Sequence, residues 1–399
     1  MSEYFDHLET RSSDARTAAQ VAALNEQLKR VAEAADNCLP DVGKLKYLED
    51  LRHLPVLRKA ELAKWQSEKP PFGGMPVSNF AHVFQSPGPI YEPGGISHDW
   101  WRMGRFLHAA GIRSGDIVQN CFGYHLTPAG MIFESGARAV GAKVLPAGTG
   151  QTELQVRAAV DIGCTAYAGT PDFLKVILDK AAELGQALKF TKAVVGGGAL
   201  FPSLRAEYAD RGIACLQCYA TADLGNIAYE TAALDGMIID EHVIVEIVTP
   251  GTGDPVAPGE VGEVIVTSLN PDYPLIRFAT GDLSAVLPGA SPCGRTNSRI
   301  KGWMGRADQT TKIKGMFVRP EQVAMLVSRH DEIVKARVIA SRKDERDQML
   351  VRLEAAAGDV GAFGASIQDV LKLKAEVEVV PPGSLPKDGL VIEDQRSYD

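Results

Sequence analysis

The chain has no run of about 18 consecutive apolar residues, so the sequence offers no membrane-spanning helix. It also lacks an excess of positive charge. Its 42 Lys and Arg stand against 50 Asp and Glu, a formal net charge of −8. Nucleic-acid and anionic-membrane surfaces attract the opposite sign, so neither partner is expected. The opening residues carry Glu, Asp and Arg rather than the basic-then-apolar order of a secretory signal. A soluble, cytoplasmic protein is the expectation. Cysteine is sparse and scattered: Cys38, Cys121, Cys164, Cys215, Cys218 and Cys293. Their mostly apolar surroundings suit buried, reduced thiols better than a disulfide framework. Cys215-Leu216-Gln217-Cys218 has redox or zinc spacing, but it lies in an apparent strand. Alternation would send the two thiols to opposite faces.

What is present is an ordinary globular balance, 45% apolar and 23% charged over 399 residues. That length suits two or three domains. Residues 14–37 place Val21, Leu24, Leu28, Val31 and Ala35 at helical spacing, with Ser13 or Asp14 as cap. Pro, Gly and Ser cluster over 70–95, which predicts loop. Strand and helix signals then alternate from about 97 to 220. Strands are expected at 117–119, 143–145, 165–168, 192–195 and 215–219, and helices at 98–110, 131–140, 172–184 and 202–210. Such β-α-β repetition implies a parallel sheet covered by helices. Between 237 and 300 the helix signal vanishes, and alternating runs at 242–248 and 263–267 suggest a small antiparallel subdomain. After 308 come strands at 311–313, 334–340 and 348–353, with helices at 320–328 and 364–373. The expected fold class is therefore α/β: a large N-terminal domain over 1–307, with helix-covered, mainly parallel sheets and a small β subdomain at 237–300. A small α+β C-terminal domain follows over 308–399.

Two short segments point to chemistry. Phe278-Ala279-Thr280-Gly281-Asp282-Leu283 sets a carboxylate at an expected turn, and Gly305-Arg306-Ala307-Asp308 follows. One carboxylate can accept from both hydroxyls of a ribose diol, although Thr-Gly-Asp alone is a common β-turn. Gly196-Gly197-Gly198-Ala199 follows a strand. It would let a flat adenine pack on the backbone, with a plain tight turn as the rival reading.

The order of these and further motifs resembles the adenylate-forming superfamily, and within it the phenylacetate-CoA ligase family. The segments that carry the likeness are Tyr4-Phe5-Asp6-His7-Leu8-Glu9-Thr10-Arg11, Gly123-Tyr124-His125-Leu126-Thr127-Pro128-Ala129-Gly130, Pro146-Ala147-Gly148-Thr149-Gly150-Gln151-Thr152-Glu153-Leu154-Gln155, Tyr219-Ala220-Thr221-Ala222-Asp223 and Lys312-Ile313-Lys314-Gly315. The resemblance covers nearly the full length. It implies an ATP-dependent ligase that activates an aromatic or arylacetic carboxylic acid as acyl-AMP and passes it to coenzyme A.

It also implies residue roles. Thr221 would touch the α-phosphate, Asp223 would hold Mg²⁺, and Tyr219 with Gly196, Gly197 and Gly198 would bound the nucleotide. Asp282 would take the ribose, with Arg306 as a second ribose or phosphate contact. Asp308 would be the hinge for a mobile C-terminal domain, and Lys314 and Gly315 would guide CoA. His125 would lid an acyl pocket lined by 122–124, 147–150 and 196–199. Relatives carry a Cys/His/Cys/Cys zinc constellation. Here Thr231 and Met237 stand where a Cys and a His would be and Cys293 remains, so no structural zinc is expected. Homodimer formation is left open.

Two departures from the family pattern matter. The Ser/Thr/Gly phosphate loop ending near a Lys is replaced by Gln85-Ser86-Pro87-Gly88-Pro89-Ile90-Tyr91-Glu92-Pro93. The prolines remove backbone donors and Glu92 adds negative charge, leaving Ser86 and Gly88 as phosphate contacts. Near the C-terminus, Ser384-Leu385-Pro386-Lys387-Asp388-Gly389-Leu390 puts Leu390 where the catalytic Lys is expected, with Lys387 the nearby cation. Two alternatives stay open: a nucleotide- or acyl-adenylate-binding protein with weak or no ligase turnover, and an adenylating enzyme with a non-CoA acceptor.

Overall fold

A computed structural model describes residues 3–33, 43–249, 252–304, 307, 311–318, 320–343, 346–356, 358–386 and 391–396. The chain divides into two compact units, Met1–Thr280 with Ser284–Trp303, and Gly281–Leu283 with Met304–Asp399. The chain thus passes between units near 303, and a three-residue piece of an earlier strand goes with the second.

The first unit is built on a nine-stranded sheet. Its order is Val286–Leu287, Arg299–Ile300, Met237–Ile239, Gly225–Tyr229, Ala214–Thr221, Lys192–Val195, Ala166–Gly169, Ile117–Asn120 and Lys143–Pro146. The last five are parallel. The first four join through antiparallel pairs. The parallel half arises where crossover helices intervene: Ala129–Ala139, Thr152–Ile162, Pro171–Glu183 and Pro202–Asp210. Pro171 and Pro202 open their helices where a missing N–H costs nothing. Leu174, Ile177 and Ala181 are buried at helical spacing.

Strand alternation sorts the core onto two faces. Ala166, Ala168, Val194, Leu216 and Cys218 pack in one cluster. Tyr167, Ala193, Val195 and Cys215 pack in another. Cys215 and Cys218 thus enter different cores, because three residues along a strand reverse the side-chain direction.

Several local expectations are corrected. Residues 70–95 are not all loop: Phe80–Ser86 and Ile90–Gly95 form an antiparallel hairpin with Phe84 opposite Glu92. A two-stranded sheet has only edge strands, where Pro93 is tolerated. The helix expected over 98–110 is only Gly104–Ala109, since Arg102 takes a left-handed φ of 62° just before it. The 237–300 region is not one subdomain. Val243–Val248 and Gly262–Ser268 pair in a four-stranded sheet with Phe278–Ser284 and Leu57–Arg58, whereas Met237–Ile239, Val286–Leu287 and Arg299–Ile300 extend the large sheet. The helix Thr152–Ile162 has no counterpart in the sequence reading.

The second unit carries a four-stranded sheet in the order Glu376–Val380, Arg346–Ala355, Ile333–Lys343, Ile392–Asp394, and a hairpin of Thr311–Ile313 with Met316–Val318. Helices Pro320–Ser328 and Val360–Leu371 supply Val323, Leu326, Phe363 and Ile367 to a core with Val338, Val351 and Leu353. The outer strands Glu376–Val380 and Ile392–Asp394 have no counterpart in the sequence reading. No described helix is long and apolar enough to cross a membrane.

Candidate active site

In a parallel sheet, loops leaving the carboxyl ends of the strands converge, and ligands bind there. Three expected segments do so in the first unit. Gly196–Gly198 leave Lys192–Val195. Gly196 is buried, and a Cβ there would meet Cys218 Sγ at 3.0 Å, while Gly197 has φ +69°. Gly198 and Gly197 are exposed, so their backbone can receive a flat ring. Residues 122–125 follow Ile117–Asn120. Asn120 Nδ2 donates to the Tyr124 hydroxyl and to the Gly130 carbonyl, both at 2.8 Å, which ties this loop to the next helix. His125 is exposed.

The third segment ends Ala214–Thr221 and turns into Gly225–Tyr229. Tyr219 is buried, and Thr221 is half-buried with its Oγ1 accepting from Leu224 N at 3.1 Å. The turn is gripped from behind. Gly225 has φ +72°, and Asn226 N donates to the Trp101 carbonyl at 3.0 Å. The Arg102 guanidinium donates to the carbonyls of Leu224 and, at 3.3 Å, Asn226. Arg102 is itself held by Asp240 at 3.7 Å, and Asp240 by Arg105 at 3.0 Å. This buried ionic chain fixes the backbone that presents Thr221 and Asp223.

Asp223 points inward and its side chain is only 1% exposed. Its Oδ2 lies 3.0 Å from Lys59 Nζ, while its Oδ1 is buried with no hydrogen-bond partner among the described residues. Lys59 begins the helix Lys59–Glu68. That helix is fastened to the hairpin by Gln66, which donates to Tyr91 O at 2.7 Å and accepts from Tyr91 N at 2.8 Å. Next to Tyr91, Glu92 is 1% exposed and accepts from the Ser86 hydroxyl, leaving its Oε2 buried and, among the described residues, without a hydrogen-bond partner. Burial first, then the charge of Asp223, push the Glu92 carboxyl up to about 8, against the pull of Ser86 and Lys59. The Tyr273 hydroxyl, also buried and without a hydrogen-bond partner among the described residues, has its pKa raised by burial and then by the charges of Asp223 and Glu92. Ser86, expected to face phosphate, thus spends its hydroxyl on Glu92. Gly88 lies at the exposed tip of the hairpin.

The oxygens around Asp223 are hard donors, and Mg²⁺ commonly takes one or two carboxylates plus substrate phosphates. One free oxygen on Asp223 fits that habit. Among the described residues no group of three His, Cys, Asp or Glu is gathered to hold a metal. Cys293 Sγ accepts from the Ser291 hydroxyl at 3.1 Å, and Met237 is packed in the core.

The second unit holds other expected residues. Asp282 is not at a turn but inside the strand Phe278–Ser284, and it is buried. Gly281 makes the strand depart from regular geometry with φ +73°, and its carbonyl accepts from Ala307 N at 2.7 Å. Lys314 and Gly315, with φ of 48° and +81°, are the exposed turn between Thr311–Ile313 and Met316–Val318. Two successive left-handed residues match the twist of a hairpin. Arg306, Asp308 and Lys387 lie outside the described residues. Sequence reasoning missed Lys59, Tyr273 and Arg102. Only folding brings them to the site, from positions more than a hundred residues away from Asp223 or, for Tyr273, fifty residues beyond it.

The fold is shared with a solved 2-hydroxyisobutyryl-CoA ligase in complex with 2-HIB-AMP and CoA. The TM-score is 0.80 at 24% identity, covering 100% of this chain and 93% of that one. The phenylacetate-coenzyme A ligase of Aromatoleum evansii is 30% identical over 329 residues, 78% of this chain and 73% of the relative. That of Pseudomonas putida is 30% identical over 346 residues, 80% and 76% of the two chains. No family model matches the chain. At this identity and coverage the chain belongs to the phenylacetate-CoA ligase family.

Proposed function

We propose that this protein is an ATP-dependent acid–CoA ligase that activates an aromatic or arylacetic acid as acyl-AMP and transfers the acyl group to coenzyme A. The observation that carries this reading is the Lys59–Asp223 pair, with its unpartnered Asp223 Oδ1, beside Thr221 at the carboxyl ends of parallel strands. Adenylation brings two anions together, a carboxylate and the α-phosphate, and a preorganised cation is worth most there. Lys59 supplies that cation from the first unit. Thr221 offers a hydroxyl to the α-phosphate, and the exposed backbone of Gly197 and Gly198 receives the adenine. Phe122 stacks on Phe133 at a centroid distance of 4.2 Å and gives the acyl pocket an aromatic wall. Asp282 is proposed for the ribose hydroxyls, Arg306 for ribose or phosphate, Asp308 as hinge, and Lys314 with Gly315 for CoA. Lys387 is the proposed cation of the C-terminal loop. Asp223 would hold Mg²⁺, which neutralises phosphate charge when bound. ATP and CoA are cytoplasmic metabolites, and the proposal sets the reaction in that compartment.

A second reading is favoured by one observation. Ser86 is committed to Glu92, and Pro87 and Pro89 offer no N–H, so the hairpin is a poor phosphate cradle. On that reading the protein binds acyl-adenylate with little turnover. The deciding experiment is pyrophosphate release with ATP, Mg²⁺ and CoA across phenylacetate, benzoate, indoleacetate and aliphatic acids. Acid-dependent release with AMP and a thioester supports the ligase. Release without thioester points to another acceptor. Nucleotide binding without release supports the second reading.

A further inference from the structure

We infer that Gln155 is a positioning residue of the acyl pocket: its side-chain amide fastens the loop 147–150 beside the loop 122–124 and so sets how tightly the carboxylic acid is held. The inference rests on the proposed ligase reading, which makes these two loops walls of the pocket, and adds a residue that acts from behind them.

The two loops start side by side. Ile117–Asn120 and Lys143–Pro146 are neighbouring parallel strands with Asn120 opposite Pro146, and the Gly148 N–H donates to the Asn120 carbonyl at 3.0 Å. Beyond that bond the second loop leaves regular structure. Gly148, Gly150 and Gln151 take left-handed φ of 67°, 76° and 46°, and a Cβ on either glycine would meet nothing within 4 Å. Crowding at these glycines does not hold the loop, so its hydrogen bonds must.

Gln155 supplies two of them from the first turn of the helix Thr152–Ile162. Its Nε2 donates to the carbonyl of Gly150 at 2.6 Å and to that of Gly148 at 3.1 Å. Its Oε1 accepts from Gln119 Nε2 at 3.1 Å and from the Cys121 thiol at 3.2 Å. Burial pushes that thiol up to about 12, so it stays protonated and can donate. Gln155, Gln119 and Cys121 are all buried. The amide is therefore oriented at both ends. Carbonyls only accept, so the NH2 group must face the loop, while the donors on the strand side require the oxygen. Gln119 and Cys121 flank Asn120, and alternation along the strand sends Asn120 to the other face. There Asn120 Oδ1 accepts from Phe122 N at 3.2 Å, and its Nδ2 holds Tyr124 and Gly130. One strand end thus grips 122–124 through Asn120 and 147–150 through Gln155.

A wall ordered in advance requires no ordering when the acid binds. Without the clamp that ordering accompanies binding. It weakens the ground state and the transition state alike, which raises KM and leaves kcat in place.

The test compares Gln155→Ala and the isosteric Gln155→Glu with wild type in the full chain, by pyrophosphate release with ATP, Mg²⁺ and phenylacetate or the acid of the panel that wild type turns over best. Losing two buried hydrogen bonds should raise the KM for the acid about tenfold in Gln155→Ala, with kcat and the KM for ATP within about twofold of wild type. In Gln155→Glu a carboxylate would face two carbonyl oxygens. Its KM for the acid, relative to wild type, should be higher still at about pH 8 and partly recover at about pH 6, since a protonated carboxyl can donate one bond. Hydrogen exchange over 145–151, without ligand, should quicken in Gln155→Ala while the rest of the first unit keeps its protection. A merely structural role would lower the active fraction, and so kcat, without moving the KM for the acid alone. The inference is overturned if that KM stays within about twofold of wild type in Gln155→Ala, if the KM values for acid and ATP rise together, or if exchange over 145–151 is unchanged. If wild type releases no pyrophosphate with any acid, the ligase reading falls and the pocket role with it, and quicker exchange over 145–151 then upholds the clamp alone.

Discussion

Replacing Lys59 by Met removes one charge and keeps most of the apolar stem. At 3.0 Å from Asp223 Oδ2, the Coulomb attraction at an effective dielectric near 20 is about 5 kcal/mol. The ammonium is partly in water, with 42% of its side chain exposed. Solvent screening reduces the net contribution to stability to about 1–2 kcal/mol. The expected change in unfolding temperature is therefore no more than a few degrees. The transition state is a different matter. On the proposed mechanism the same cation faces the α-phosphate as the acyl carboxylate closes on it, and losing such a group costs a factor of about 10² to 10³. Single-turnover pyrophosphate release measures that step. Acyl-adenylate supplied directly with CoA measures the second step, which should fall by less than about fivefold because no pyrophosphate leaves. Adenylation within threefold of wild type, at unchanged stability, would refute the reasoning and reduce Lys59 to a structural partner of Asp223.

Other predictions address the scaffold. A Cβ at Gly225 would lie 2.8 Å from the Trp101 carbonyl at φ +72°, so Gly225→Ala should cost about 1–3 kcal/mol and slow adenylation by displacing Thr221; normal kinetics with a lowered midpoint would separate the turn from the chemistry. Asp99 has a buried Oδ1, and burial pushes its carboxyl up to about 7, with Asp240 adding to the rise while Arg102 and Arg105 oppose it. The folded state thus holds that proton more tightly than the unfolded chain. Its contribution favours folding below pH ~4 and is lost as pH rises through 7. The stability of Asp99→Asn relative to wild type should therefore improve with pH over that window, by at most about 4 kcal/mol, and denaturant titrations at pH 5 and pH 8 would reveal a flat difference if the argument fails. In the second unit, Phe363 is fully buried with His330 edge-on at 5.0 Å, so Phe363→Ala should cost about 3–5 kcal/mol by chemical denaturation.

Much of the fold was legible because its signals are local. The strand Lys192–Val195 and the helix Pro202–Asp210 fall where β-branched residues, a helix-opening proline and apolar spacing put them. The opposite faces of Cys215 and Cys218 followed from strand alternation alone. The hairpin at 80–95 was not legible, since its prolines and glycines signal loop and its strands, among the described residues, pair only with each other. Short strands such as Met237–Ile239 and Arg299–Ile300 carry too few residues to show which sheet they join. Thr280-Gly281-Asp282 carries the sequence signal of a turn, yet Asp282 lies in a strand, because Gly281 absorbs the irregular backbone.

By itself the sequence determined the class of the protein. Residue order along the chain carries the family motifs, and hydrophobic periodicity carries the alternation of strands and helices. Only the tertiary structure decided the environment of Asp223. It brought Lys59 from one helix to within 3.0 Å of Asp223, and it set the Ser86 hydroxyl on Glu92 within the hairpin. Charge balance in a buried site depends on distance and solvent exclusion, and neither is written in the spacing of residues along a chain.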